Sequence, residues 1–306
     1  MTYPLVRSTI PRMFVRRERW PDGYGVKAVP LVYPGQEVLP DQPVLRFPAT
    51  KQTDTGSGEV VPAGLRGRVV EISPRGGVVI ESPAALVQGV IGAGKQIAGI
   101  LTLWREKAGK QQKIPAGAIL VVPDQINFAL LHRAMSSGVS GIVAGSISLR
   151  DLEGFLRVDL IQLLNCADVD LVQAHLPPLT LLFTEGLGAI AMSRQVTELL
   201  EHYQGSIALL CGATSVRHRI FPELVISLPA EETQQNWQSV QPEAVLVPGA
   251  LVQIYEGEHR GTVGTIDYVF TYQQVFASGI HARAVRVALE DGTWLTVPII
   301  YVKRLL

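Results

Sequence analysis

The pattern of apolar and polar positions changes within the first 230 residues. Between about residues 25 and 105, short alternating stretches occur at Val38–Phe47, Gly67–Ile72 and Gly77–Glu81. Alternation with period two, in a segment rich in valine, isoleucine, glycine and proline, predicts an all-β unit of short strands. After residue 114, near-continuous apolar strands alternate with helices, which is typical of a mostly parallel sheet covered on its faces.

The elements of this second segment are predicted in a regular order. Its strands are expected at Ala118–Val122, Gly141–Ala144, Thr180–Phe183, Ile207–Cys211 and Leu224–Leu228. Its helices are expected at Gln125–Ser137, Leu149–Asn165 and Ala189–Tyr203. The polar residues from 230 to 241 lack periodicity and predict a linker.

Near the end of the chain, two alternating strands flank a turn with two glycines. This pattern consists of Val252, Ile254, Gly257, Arg260, Gly261, Val263, Gly264 and Ile266. It resembles the KOW motif, the RNA- and protein-binding strand–loop–strand of ribosomal and transcription-elongation proteins. The resemblance implies an SH3-like β-barrel over residues 242–306. It also implies a partner-binding turn, formed here by Tyr255, His259, Arg260 and Gly261.

A second resemblance lies in the N-terminal half. The runs Pro34–Val38, Asp41–Leu45 and Pro62–Ile72 resemble the barrel-sandwich fold of biotinyl and lipoyl domains. Lys51 lies near the position at which a lipoyl-type domain carries its modified lysine. Its neighbours Thr50 and Gln52 are not the acidic or methionine residues that such families present, which argues against a carrier function.

These patterns together predict a multidomain protein. Its parts are a basic N-terminal arm (1–24), an all-β barrel-sandwich-like domain (25–113), a central α/β domain (114–229), a linker (230–241) and the SH3-like (KOW) barrel (242–306).

Charge is distributed unevenly, although the net charge of the chain is zero. The first twenty residues hold five arginines against Glu18, and residues 115–230 hold six arginines against ten carboxylates. Two interpretations remain open. The arm neutralises the acidic middle of its own chain or of a neighbouring subunit, or it binds a partner through Arg12, Arg16, Arg17 and Arg19.

A candidate ligand site follows from the predicted parallel sheet, because ligands bind beyond the carboxyl ends of such strands. Small and polar residues are expected there, and Thr184–Gly188 is predicted to lead directly into a helix N-terminus. The candidate ligands are Ser146, Thr184, Glu185, Gly186, Thr214, Arg217 and Arg219. The alternative is ordinary loop chemistry, with glycines in turns and hydroxyls as helix caps.

Other chemistry has weaker signals. Gly89–Lys95 fits GxxxxGK, but residue 96 is glutamine where a phosphate-binding loop needs serine or threonine. Cys166 and Cys211 are expected to be buried thiols, in a helix and a strand respectively, and the six histidines are scattered. We therefore expect no metal, no cofactor and no catalytic residue.

Composition favours a globular protein outside the membrane. Of the 306 residues, 47% are hydrophobic and 18% are charged, and no apolar run reaches the length of a membrane helix. The start of the chain lacks the apolar core of a signal peptide, so we expect a cytoplasmic protein.

The sequence therefore favours a non-enzymatic binding or assembly protein within a transcription, translation or other large complex. Residues 242–306 carry five lysines and arginines against six carboxylates. Phosphate binding relies on clustered cations, so a protein partner or a homo-oligomer is expected ahead of RNA. The alternative is an enzyme or metabolite-binding protein with its site at the carboxyl edge of the central sheet.

Overall fold

A computed structural model of the chain describes residues 9–20, 28–47, 60–104, 115–218, 220–233 and 246–305. By their contacts, the described residues form two compact units. One comprises the described residues from Pro11 to Thr233, and the other those from Leu246 to Leu305 together with Thr9 and Ile10. Lys51, Arg219 and most of the predicted linker lie outside the described residues.

The chain up to residue 233 is mostly β. Its strands are β1 Thr9–Arg19, β2 Val29–Pro30, β3 Glu37–Val38, β4 Pro43–Arg46, β5 Val60–Pro62, β6 Gly67–Ile72, β7 Val78–Gln88, β8 Ile91–Ala93, β9 Gln96–Leu103, β10 Ala118–Ile126, β11 Gly141–Ile147, β12 Thr180–Leu187, β13 Ile207–Cys211 and β14 Glu223–Ser227. Its helices are α1 Phe128–Ser136, α2 Leu149–Leu156, α3 Leu160–Leu164, α4 Val169–Ala174, α5 Arg194–His202 and α6 Ala230–Thr233.

Eleven of these strands form one mixed sheet, in the order β3-β6-β7-β14-β13-β9-β10-β11-β12-β8, with β1 paired to β7. Strands β9 to β12 run parallel to their neighbours in this group. Strands β13 and β14 are antiparallel, as are β7 and β8 to their partners. The predicted boundary at residues 113 and 114 therefore falls between two neighbouring strands of one sheet, β9 and β10.

The sheet curls back on itself at the β7–β8 connection. Gly89 N donates to Pro222 O, beside β14, at 2.8 Å. The next residue, Val90, donates through its N–H to Phe183 O in β12 at 2.9 Å. Two consecutive residues thus hydrogen-bond to segments that are far apart in the strand order, so β12 and β14 lie on either side of this connection.

Each face of the sheet has its own core, because neighbouring residues of a strand point to opposite faces. Leu120 and Phe183 pack in the cluster that includes Leu131 of α1 and Leu152 of α2. Val121, on the other face of β10, packs in a second cluster. That cluster combines β7, β9, β12, β13 and β14 with the apolar side of α5, as expected for the inside of a curled sheet.

The helices are shorter than the apolar pattern predicts. The predicted helix Leu149–Asn165 is interrupted at Arg157, whose φ of 56° ends α2, and Asp159 caps the separate helix α3. The side chain of Asn127 caps α1 by accepting from Leu130 N, so the helix begins after Gln125. Cys166 lies between α3 and α4, where we had expected a helix.

The C-terminal unit contains an antiparallel sheet. Its strands are β15 Leu251–Ile254, β16 Val263–Val269, β17 Gln274–Val275, β18 His281–Ala282, β19 Ala284–Ala288, β20 Trp294–Pro298 and β21 Val302–Arg304, with a 3-10 turn at Ile299–Tyr301. Five of them pair in the order β20-β19-β16-β15-β21, and β17 pairs with β18. One face of the sheet packs Val252, Ile254, Ile266, Val285 and Val287 into a core.

Candidate partner-binding surface

The predicted ligand site at the carboxyl ends of β10, β11 and β12 is filled by the chain itself. The loop before α5 crosses this edge, where Ser146 Oγ accepts from Ile190 N at 2.9 Å. Met192 N donates to Pro123 O at 2.6 Å. A Cβ added at Gly145 would lie 2.6 Å from Met192 N, so glycine is needed there for backbone packing. Ser146, which is fully buried, therefore anchors a loop.

The predicted helix N-terminus beside Glu185 is absent. Strand β12 continues to Leu187, and α5 begins only at Arg194. Thr184 and Glu185 are strand residues with 3% and 4% of their surface exposed, and Gly186 faces Val90. The sequence predicted that this strand ends at Phe183, because the apolar run ends there. In the structure, pairing with β11 continues to the Ile147–Leu187 pair.

Thr214 and Arg217 do not extend this carboxyl edge either. Strand β13 is antiparallel to β9, so Cys211 lies beside Gln96 at the start of β9. Thr214 Oγ1 accepts from Gly92 N and donates to Gly92 O, both at 2.9 Å, which joins it to β8. Arg217 is exposed. The structure thus splits the described members of the predicted ligand set between two locations.

The GxxxxGK segment forms the β7–β8 connection and strand β8. Its backbone N–H groups donate to protein acceptors: Gly89 to Pro222, Val90 to Phe183, Gly92 to Thr214 and Gly94 to Gln173. A phosphate-binding loop needs such N–H groups free to face the phosphate. This segment is therefore structural.

The four candidate arginines of the predicted N-terminal arm lie in β1, and three of them contact their own chain. Arg16 Nε lies 2.7 Å from Glu81 Oε1. Arg17 binds Glu223 through Nε and Nη2 at 2.5 and 2.7 Å. Arg19, 2% exposed, donates to Pro62 O at 3.0 Å. Arg12 is exposed. Arg17 is thus the candidate that pairs with a carboxylate of the acidic middle, Arg16 pairs with a carboxylate outside it, and Arg19 contacts a carbonyl oxygen.

An acidic residue between these arginines links β1 to the β6–β7 turn. Glu18 accepts hydrogen bonds from Arg75 and Ser73. Burial alone would raise the pKa of Glu18, but the hydrogen bonds from Arg75 and Ser73 outweigh it and lower the pKa. Arg75 also stacks on Trp20, 3.6 Å from the ring centre. Strand β1 is therefore attached to the sheet by side chains as well as by its backbone.

The turn predicted from the KOW resemblance connects β15 and β16. Gly257 and Gly261 have φ of 85° and 93°, a region that favours glycine. Gly261 N donates to Ile254 O at 2.7 Å and closes the turn. His259 and Arg260 are exposed at its tip, and the Tyr255 hydroxyl donates to Ile300 O. Of the named residues, His259 and Arg260 are the ones that this turn presents outward.

A more extensive surface lies on the opposite side of the C-terminal sheet from its core. The aromatic–arginine face comprises Tyr268, Phe270, Arg286 and Trp294, with Asp267 at its edge. Arg286 is paired with Tyr268 on β16 and with Thr296 on β20. Its guanidinium lies 4.8 Å from the ring centre of Trp294 and 5.8 Å from that of Tyr268. The rings of Tyr268 and Phe270 meet edge to face at 5.1 Å.

The rings of this face remain in contact with solvent. Trp294 is 62% exposed and Tyr268 is 46% exposed. Arg286 Nε donates to Asp267 Oδ2 at 2.6 Å, which fixes the guanidinium. A register shift between Ile266 and Tyr268 places both Asp267 and Tyr268 on the exposed side, as a β-bulge does. The sequence pattern did not identify this face, because Arg286 and Trp294 become neighbours only through strand pairing.

The described residues provide little for metal or thiol chemistry. They contain no cluster of three or more His, Cys, Asp or Glu side chains arranged to hold a metal ion. Burial raises the pKa of the Cys211 thiol to about 11, so it stays protonated at neutral pH. Among the helices that the structure describes, none has both the length and the apolar composition to cross a membrane.

Comparison of the chain with protein-family models, with curated proteins and with solved structures found no match.

Proposed function

We propose that this protein is a non-enzymatic binding and assembly protein whose C-terminal unit binds a protein partner on the aromatic–arginine face. The proposal depends on one observation: Trp294 is 62% exposed, although its ring contacts Arg286. Hot spots of protein–protein interfaces are enriched in tryptophan, tyrosine and arginine. Here all three occur together on one sheet face.

The charge of this face favours protein over RNA. Arg286 is already paired with Asp267, so its charge is largely compensated. Residues 242–306 as a whole carry one carboxylate more than they carry lysines and arginines. Binding to a phosphate backbone gains its free energy from cations that replace counterions, and a neutral face supplies few of them. A protein surface with an apolar pocket for Trp294 suits these residues better.

The resemblance to KOW modules agrees with this function. The turn with Gly257 and Gly261 joins two antiparallel strands, and the five-stranded sheet packs Val252, Ile254 and Ile266 into a core. We propose that this unit is an SH3-like barrel, and that it serves as the binding module of a multidomain protein within a larger complex. The His259–Arg260 tip is a second contact point of the same module.

The alternative is an enzyme or metabolite-binding protein with its site at the carboxyl edge of the sheet. It has less support, because Ser146 and the backbone of residues 188–193 hold that edge together. Thr214, expected to complete the site, bonds to Gly92.

Affinity purification of the tagged protein from its native host, with and without RNase and read by mass spectrometry, tests the proposal. A stoichiometric protein set that survives RNase is expected. Loss of those proteins after RNase would contradict direct protein binding. Light scattering of the purified protein separates self-association from binding to another protein, and a homo-oligomer that buries Trp294 would also contradict the proposal.

A further inference from the structure

A cavity of about 320 Å³ lies beside the starts of β9, β11 and β12 in the larger unit. Its polar lining residues are Lys95, Ser140 and Thr180. Its apolar walls come mainly from Ile97, Leu176 and the prolines that precede β12. The cavity lies at the end of the parallel strands opposite to the edge predicted from the sequence, and none of its lining residues belongs to the aromatic–arginine face.

Lys95 is the one charged residue among those that line this cavity. Its side chain is half-buried and forms no ion pair or hydrogen bond within the described residues. None of the described residues that line the cavity is a carboxylate. A partly desolvated cation without a counter-charge is unfavourable, and binding of an anion would relieve that cost.

The backbone at Lys95 is held firmly. Gly94 has a φ of 102°, and its N–H donates to Gln173 Oε1 at 2.6 Å. Thr180 Oγ1 donates to the carbonyl oxygen of Lys95 at 2.9 Å. A Cβ at Gly94 would lie 2.7 Å from Thr180 Cα, so the two segments approach closely. The backbone that carries the Lys95 side chain is thus positioned before any ligand binds.

The hydroxyl groups can complete the recognition of an anion. Ser140 makes no side-chain hydrogen bond within the described residues, so its hydroxyl is available as a donor. One ammonium and one hydroxyl donor match the charge of a monoanion. A phosphate dianion normally requires more cations or a cradle of backbone N–H groups, and the N–H groups of Gly94, Ser140 and Thr180 already donate to protein acceptors.

We propose that this cavity binds a small carboxylic acid, with the carboxylate on Lys95 and Ser140 and an apolar body against Ile97 and Leu176. The volume is near the lower end of the range for ligand pockets, which sets the size at a single ring or a short aliphatic chain. This site is independent of the partner-binding surface.

Fluorine NMR of the full chain with 4-fluorobenzoate and with its uncharged isostere 4-fluorobenzamide tests the proposal. Saturable binding of the benzoate is expected, with at least about tenfold weaker binding of the benzamide, since a hydrogen bond to a charged group is lost. Lys95→Met should weaken benzoate binding by at least about tenfold, and Lys95→Arg by less. Arg150→Met removes the same charge from an exposed helix position and should leave binding unchanged.

Three results would overturn the carboxylate site: no saturable benzoate binding to the wild type at millimolar concentration, equal binding of the benzamide, or unchanged binding to Lys95→Met. Circular dichroism verifies that Lys95→Met is folded. If it is not, Ser140→Ala carries the same test, because loss of one hydroxyl donor to the carboxylate should weaken benzoate binding several-fold, and unchanged benzoate binding would overturn the site.

Discussion

The guanidinium of Arg286 lies 4.8 Å from the ring centre of Trp294, on the solvent side of the C-terminal sheet. Asp267 Oδ2 accepts a hydrogen bond of 2.6 Å from Nε of the same guanidinium. The tryptophan is therefore restrained by a cation–π contact without being buried. A large aromatic side chain that is ordered but exposed loses little conformational entropy when a partner covers it.

Gly145→Ala should strongly destabilise the protein. The new Cβ would lie 2.6 to 2.8 Å from three backbone atoms, which belong to Met192, Pro123 and Ile190. Backbone cannot move aside as a flexible side chain can, so we expect a loss of about 2–4 kcal/mol in urea unfolding. Gly154→Ala is the matched control, because its Cβ meets Phe128 at an ordinary 3.7 Å and alanine favours the helix. Equal stability of the two variants would contradict the close backbone packing that fills the carboxyl edge at Gly145.

Arg17 and Glu223 should be coupled energetically. They form two hydrogen bonds between residues 206 positions apart, and their side chains are 28% and 21% exposed. A double-mutant cycle with alanine should give a coupling free energy of about 1–2 kcal/mol, above the range for exposed pairs. The exposed pair Arg194–Glu198, at 89% and 58% exposure, should give below about 0.5 kcal/mol. A coupling free energy near zero for Arg17 and Glu223 would contradict a stabilising contact between β1 and β14.

Stability should fall in alkaline solution, partly through Tyr203. Burial first, and then the hydrogen bond from its hydroxyl to Glu232, raise the pKa of Tyr203 to about 12 from an ordinary value of 10.0. Because the folded state retains the phenolic proton, this contribution is complete below pH 10 and is lost as the pH rises toward 12. Glu232 is partly exposed, so solvent screens its interaction with Tyr203. We therefore expect the raised pKa of Tyr203 to contribute about 1 kcal/mol to the free energy of unfolding.

Urea unfolding at pH 9 to 12 measures this contribution. Tyr203→Phe should show a shallower loss of stability above pH 10 than the wild type. The Cys211 thiol, with its pKa raised to about 11 by burial, titrates in the same range in both proteins and cancels in the comparison. Parallel pH profiles for the two proteins would contradict the role of Tyr203.

Local patterns predicted the strands better than their arrangement. Apolar runs located β10 at Ala118 and β13 at Ile207–Cys211, because a buried strand must be apolar on both faces. The direction of β13 was not predictable from these runs, since antiparallel and parallel neighbours bury the same residues. The expected site was misplaced as a result, with Thr214 joined to Gly92. The pairing of β9 with β10 across the predicted boundary depends likewise on long-range register.

The aromatic–arginine face shows a similar limit. Simple alternation after the buried residue Ile266 places Tyr268 in the core, but the register shift at Asp267 turns it outward. A bulge of this kind has no clear mark in the sequence. Trp294 and Arg286 lie in separate strands, and only the pairing of β19 with β20 brings them together. The KOW-like turn was easier to locate, because Gly257 and Gly261 both need positive φ.

The most direct measurement of partner binding compares RNase-treated affinity captures of the wild type, Trp294→Ala and Ile161→Ala from the native host. Ile161, 71% exposed on α3, controls for the loss of an exposed apolar side chain. Trp294→Ala should change the free energy of unfolding by less than about 1 kcal/mol. It should reduce recovery of the stoichiometric partner at least about tenfold, whereas Ile161→Ala recovers it fully. Full recovery by Trp294→Ala would show that the aromatic–arginine face is not the binding surface.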